Sequence, residues 1–255
     1  MNAVVSRPGE GERLDAEHLI KLASPQLDIL EFTVGADYQG PGPHFHRHHV
    51  DGFFVLEGEL EFRAGEETIS ALPGTSVFVP PDVVHSFTTA EAKGARFLNV
   101  HAPGGFSEYL RARIGGHDPD PAEFDIHDVD EAGGPGAAIV ATDGDLERFE
   151  MPESTSTIAI RAESPEVSLL ELAVEPAWSG VGLHHHDDHV DTFFVLAGVA
   201  VFLPEGETAR VEEGTLVSAP IGVVHGIGRV DAPARFLNLH TPDGGFAAGI
   251  RRRAG

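Results

Sequence analysis

Short apolar, β-branched and aromatic runs alternate along the chain with breaks rich in glycine and proline. Leu27 to Val34, Gly52 to Phe62 and Ser76 to Val79 are runs of this kind, each cut off by a turn former, and they predict strands. Only the stretches FSEYLRARI (106–114) and FAAGIRRR (246–253) carry a helical pattern. Short strands at this spacing predict an all-β architecture, a sandwich or a small closed barrel, with the double-sheet jelly roll among the solutions.

The pattern is written twice. HFHRHHVDGFFVLEG (44–58) recurs as HHHDDHVDTFFVLAG (184–198), a shift of 140 residues. SPQLDILEFTV (24–34) pairs with SPEVSLLELAV (164–174), GTSVFVPPDVVH (74–85) with GTLVSAPIGVVH (214–225), and ARFLNVHAPGGF (95–106) with ARFLNLHTPDGGF (234–246), in the same order in both halves. Collinear matches of this extent predict two homologous domains, 1–115 and 136–255. Residues 116–135, rich in Gly, Pro and Asp, read as a polar linker.

Composition narrows the chemistry. The 255 residues carry 41 acidic and 17 basic side chains, a formal charge of −24 that repels phosphate backbones and anionic membranes, so no nucleic-acid or membrane partner is expected. Neither a leader pattern nor a run of ~20 apolar residues is present, which predicts a cytoplasmic protein. With no cysteine, thiolate metal sites and disulfides are excluded, and a tightly held metal must use His, Asp or Glu.

Alternate residues of a strand face the same way, so His44 and His46 share a face, as do His184 and His186. Asp51 and Asp191 follow five residues after the second histidine and join that face only if a turn or bulge intervenes. His85 and His225, each after a proline-containing turn, can add a ligand from a neighbouring strand. Three neutral imidazoles and a carboxylate suit a divalent transition metal (Fe, Mn, Ni, Cu, Co or Zn), one in each half and two per chain, with a position open to substrate. His48, His49, His185 and His189 read as solvent-facing or supporting residues. His101 and His240 close the last strand of each half, where they line the pocket or satisfy a strand end. The pairs Phe53–Phe54 and Phe193–Phe194 read as packing residues, one ring inward and one outward. The outward ring needs cover, which predicts a homodimer.

The spacing H-x-H-x4-acid-x6-G, then G-x5-P-x-G-x2-H, resembles the two motifs of the cupin superfamily. His44, His46, Asp51, Gly58, Gly74, Pro80 and His85 fit it in the first half, and His184, His186, Asp191, Gly198, Gly214, Pro220, Gly222 and His225 in the second. The ending RFLNVHAPGGF is also similar to bicupins grouped around quercetin 2,3-dioxygenase. The resemblance implies two tandem jelly-roll β-barrel domains, metal ligation by His44, His46, His85, His184, His186 and His225, and a small-molecule substrate. Three departures stand out. Asp replaces the family's usual Glu, which leaves direct ligation, a water-mediated contact and a general-base role for Asp51 and Asp191 all open. Asp82 stands where the second motif has Gly, and Thr89 and Arg229 stand where it ends in Asn. The implied activity is dioxygenase cleavage or oxidation of an enol-containing, flavonol- or diketone-like molecule, with Asp51 or Asp191 taking the enol proton. The alternatives are an oxygen-independent cyclase or isomerase working through an enolate, and a non-catalytic small-molecule-binding bicupin.

Overall fold

The computed structural model describes residues 2–90, 93–151 and 155–254. The chain divides into two compact units, residues 11–145 and residues 146–255 joined by 1–10. Each is a pair of antiparallel sheets.

In the unit 11–145 a seven-stranded sheet runs in the order Ile139–Ala141, Ser76–Val79, Val50–Gly58, Ala95–Ala102, Asp28–Val34, His18–Ala23 and Glu12–Arg13. A five-stranded sheet runs His127–Asp128, His44–Phe45, His85–Thr89, Leu60–Ala64 and Glu67–Ala71. The two sheets pack through aromatic rings: Phe53 of the first lies 4.8 Å from Phe62 and 4.9 Å from Phe87 of the second, each pair edge to face. Leu60–Ala64 alternates strictly between buried and exposed positions, as a strand with one solvated face must. Val50–Gly58 is buried on both faces along most of its length, so Phe54 is covered along with Phe53, and Phe194 along with Phe193. Both rings of each pair are buried within the chain, which removes the argument for a dimer from an uncovered ring. The helix Phe106–Ile114 follows the last strand, its first turn held by the buried carboxylate of Asp28, which accepts from the backbone N–H of Gly105 and Ser107 at 2.9 and 2.8 Å.

The other unit repeats this plan with a seven-stranded and a four-stranded sheet, and the second expected helix forms at Phe246–Ala254. Its seven-stranded sheet ends on Val4–Ser6, which pairs with Leu216–Ala219, just as Ile139–Ala141 pairs with Ser76–Val79 in the other unit. The smaller sheet is one strand shorter because, among the described residues, no strand occupies the place of His127–Asp128, the strand that pairs with His44–Phe45. That strand comes from the segment 116–135. The polar stretch between the repeats thus completes the sheet bearing His44.

Candidate functional site

Residues 46–49 form a bend between the strands His44–Phe45 and Val50–Gly58. The bend swings Asp51 back to the histidines. Its far side is held by the turn before His85, where the N–H of Asp82 donates to the carbonyl of His46 at 2.6 Å. In the repeat, the N–H of Gly222 donates to the carbonyl of His186 at 2.8 Å. Both turn residues have positive φ, 63° at Asp82 and 77° at Gly222. This explains the glycine of the motif and why Asp, which tolerates the left-handed region, replaces it.

His44, His46, Asp51 and His85 offer ligand atoms within 4.8 Å of one another, and His184, His186, Asp191 and His225 do the same. The remaining ring nitrogens show which way the lone pairs face. Nδ1 of His44, His46 and His85 lies 2.9, 2.8 and 3.0 Å from the carbonyls of Gly42, Asp125 and Val83. A carbonyl only accepts, so each Nδ1 carries the hydrogen and each Nε2 presents a bare lone pair to the common centre. Oδ2 of Asp51 stands among them, 3.1 Å from Nε2 of His85 and 3.7 Å from that of His46. Nε2 of His46 is buried with no hydrogen-bond partner. Acceptors gathered face to face, one of them orphaned, repel one another unless a cation sits between them, and this donor set fits a divalent transition metal.

The second set repeats the logic: Nδ1 of His184 and His225 donate to Gly182 and Val223 at 2.8 and 2.9 Å, and Nε2 of His225 lies 3.1 Å from Oδ2 of Asp191. It is more open. The side chain of His186 is 23% exposed against 2% for His46.

Burial works against the charge of Asp51, but the imidazoles of His101, His46 and His85 outweigh it and hold the carboxyl well below the usual range. Asp191 is held low in the same way, against its burial, by His186, His225 and His240. Burial first, then the neighbouring imidazoles His85 and His46, push His44 down to about 3. Its ring is therefore a neutral ligand at ordinary pH.

A cavity of about 520 Å³ opens onto the first set, with His44, Asp51 and Asn99 among its polar lining and Phe32, Phe87 and Phe106 among its aromatic walls. Tyr38 also lines it. Burial, reinforced by the charges of Glu17 and Asp51, raises its phenol to about 12, so it remains a proton-bearing donor.

The Cupin domain family model matches residues 30–101 and 170–240, more than half of the chain and both histidine sets. The chain belongs to the cupin family. With a domain in each half it is a bicupin. It is 30% identical over 115 residues to quercetin 2,3-dioxygenase of Bacillus subtilis (strain 168), an alignment covering 42% of this chain and 33% of that protein. The alignment thus spans about a third of the relative's length. Among solved structures, oxalate decarboxylase from Bacillus subtilis superposes with a TM-score of 0.65 at 16% identity, covering 95% of this chain and 77% of that one. Protein Ylba from E. coli superposes at 0.67 and 14% identity, covering 94% and 90%. At these identities the superpositions speak for the fold.

The bicupin's structure adds residues that the sequence pattern did not single out. Nδ2 of Asn99 donates to Oδ1 of Asp51 at 2.6 Å, and Asn238 donates to Oδ1 of Asp191 in the same manner. Both lie in the repeated RFLN stretch, so duplication was their signal. Asp125 had none, because it lies outside the repeat. Of the histidines outside the two ligand sets, His48 and His185 are exposed, with side chains 80% and 51% accessible. His49, His189, His101 and His240 are buried around the sets.

Proposed function

We propose that this bicupin is a metal-dependent dioxygenase that takes an enol-containing, flavonol- or diketone-like small molecule into the N-terminal barrel and cleaves it oxidatively. One observation carries the reading. Three lone-pair-bearing Nε2 atoms and the Asp51 carboxylate converge on one centre, and two of the four residues, His44 and Asp51, line an aromatic-walled cavity of about 520 Å³, within the size range of small-molecule sites.

His44, His46 and His85 are the proposed ligands there, and His184, His186 and His225 hold a second ion in the other barrel. A divalent ion so held supplies Lewis acidity toward a substrate hydroxyl and, if redox-active, a route for electrons to dioxygen. The chain's own residues do the rest. The carbonyls of Gly42, Asp125 and Val83 fix the three rings. Asn99 ties Oδ1 of Asp51 and leaves Oδ2 facing the nitrogens. Asp51 also lines the cavity, where its carboxylate, ionised at ordinary pH, accepts the enol proton as that proton leaves. Tyr38 donates a hydrogen bond to a substrate oxygen, and the aromatic walls stack against a planar substrate while excluding water.

Oxygen uptake by metal-loaded protein, measured against a panel of flavonols and β-diketones, tests the reading. Uptake that matches substrate loss is expected, with turnover lowered roughly 10²–10⁴-fold in Asp51→Asn and little changed in Asp191→Asn. Substrate conversion without uptake points instead to oxygen-independent enolate chemistry. Binding without conversion points to a carrier.

A further inference from the structure

Beside the ligand set of the N-terminal barrel lies a second group of histidines, His46, His49 and His101, whose ligand atoms also fall within 4.8 Å of one another. Their hydrogen bonds assign every ring nitrogen. His46 donates from Nδ1 to the carbonyl of Asp125, leaving Nε2 bare. His49 places Nδ1 3.1 Å from the Asp125 carboxylate, which accepts, so its Nε2 is bare as well. The orientation of His101 is set by Asn99. The amide NH2 of Asn99 must face Oδ1 of Asp51 and the carbonyl of Gly52, at 2.6 and 3.2 Å, because both only accept. Oδ1 of Asn99 then accepts from Nε2 of His101 at 2.8 Å, and Nδ1 of His101 is the bare nitrogen.

The nitrogens left over on these rings, Nε2 of His46, Nε2 of His49 and Nδ1 of His101, are buried with no hydrogen-bond partner among the described residues. The residues carrying them are 2%, 7% and 1% exposed. Three desolvated lone pairs turned toward one another, with no donor in reach, are costly as they stand. A cation relieves all three at once.

We infer that His46, His49 and His101 form a second seat for a divalent transition metal in the N-terminal barrel, built of nitrogen alone. Small ring rotations close their separation to the ~3.4 Å of tetrahedral nitrogen ligands at metal–nitrogen distances near 2.1 Å. His46 has one free lone pair, so an ion in this seat and an ion held by His44, His46 and His85 exclude each other. The barrel holds one ion in either of two positions. None of the three histidines lines the cavity, so an ion in the second seat counts toward metal content without meeting substrate. The repeat keeps the ring arrangement, with His186–His189 and His189–His240 centroids at 3.9 and 5.0 Å against 3.9 and 5.2 Å in the first half. There, however, His189 is tied to the exposed Asp188 and His186 opens to solvent, so the inference is confined to the first barrel.

The test is independent of the reaction assigned above. In a chain whose other barrel is silenced by His186→Asn and His225→Asn, the further changes His44→Asn and His85→Asn dismantle the first seat. Titration of the apoprotein with Co(II), followed by calorimetry and by d–d absorption, is expected to show one ion still bound with a nitrogen-only spectrum. Adding His101→Phe or His49→Phe is expected to weaken it at least tenfold. No ion in the first variant, with its circular dichroism unchanged, overturns the inference and leaves the trio to an ordered water. Binding unaffected by His101→Phe and His49→Phe overturns it equally. Should the combined variant not fold, His85→Gln alone with imidazole 15N NMR reads the same point. Zn(II) is expected to shift Nε2 of His49 and Nδ1 of His101 together, and unmoved resonances at saturating Zn(II), with the C-terminal barrel filled as well, would reject the seat.

Discussion

At Asp125 the backbone passes through the left-handed region, φ 61°, a conformation that Asp tolerates because its short side chain bonds locally. Its carboxylate accepts from the N–H of Arg47 and His48 and from Nδ1 of His49, while its carbonyl fixes the ring of His46. One residue thus shapes the bend between His46 and Asp51. Removing a group that orients a metal ligand typically costs 10–100-fold in affinity. Asp125→Ala is therefore expected to weaken ion binding in the N-terminal barrel by about that factor and to leave the C-terminal barrel unaffected. Under a competing chelator, metal content measured by elemental analysis should fall from about two toward one per chain. An unchanged content would show that the bend holds without Asp125.

The strands owe their positions to a few fixed points. Gly58 closes the strand Val50–Gly58 and Gly198 follows the strand Val190–Ala197, at φ 77° and 78°, and a Cβ there would lie 1.8 Å from the carbonyl oxygen of Gly94 or 2.5 Å from that of Pro233. Only glycine fits. In the C-terminal unit, Arg161 and Glu171 form a buried ion pair between the strands Ser156–Glu163 and Ser168–Val174, and Arg235 donates to the other oxygen of Glu171 at 2.9 Å. Both paired side chains are almost fully buried, 0% and 3% exposed. Glu171→Ala leaves a desolvated guanidinium behind and is expected to destabilise by about 3–5 kcal/mol. Thermal melting should register this as a fall of roughly 10 °C, at 2–4 °C per kcal/mol for a chain of this size. The corresponding pair in the other unit, Lys21 and Glu31, is longer at 3.9 Å, and Glu31→Ala should cost less.

For the whole molecule the histidines govern how stability follows pH. In the metal-free chain burial, helped by neighbouring imidazoles, lowers His44 to about 3 and His49 to about 4; His101 and His189 are lowered in the same way, and His225, held by Asp191, is raised. Groups depressed below their unfolded value near 6.5 take up protons on unfolding before they do so in the fold, so stability falls as pH drops from about 6.5 toward 3. His225 works in the opposite sense, since its contribution is full below about 6.5 and fades as pH rises. Four against one, the net expectation is a melting temperature that climbs from pH 4 to 6.5 and then levels off. A flat profile in metal-free protein would contradict the neutral, buried histidines. Bound ions stabilise the fold by mass action, so EDTA should lower the melting temperature at pH 7. No change, in a sample shown to have lost its metal, would mean the sites do not contribute.

The sequence alone determined the duplication, the two helices, the strand-rich class and the two sets of His, His, Asp and His. Those features are local or periodic, and a repeat at a constant shift of 140 residues doubles every signal. Tertiary structure decided what no periodicity encodes. It placed the carbonyls that fix each imidazole, and with them the direction of each lone pair. It also turned the polar stretch between the repeats into a strand beside His44–Phe45 and put Asp125 over the bend. Such contacts join residues 77–79 positions apart in the chain, and a single unrepeated aspartate in a Gly- and Pro-rich segment carries no pattern by which to find it. The two histidine sets therefore look alike in sequence and differ in the fold, one buried under a segment that the other lacks.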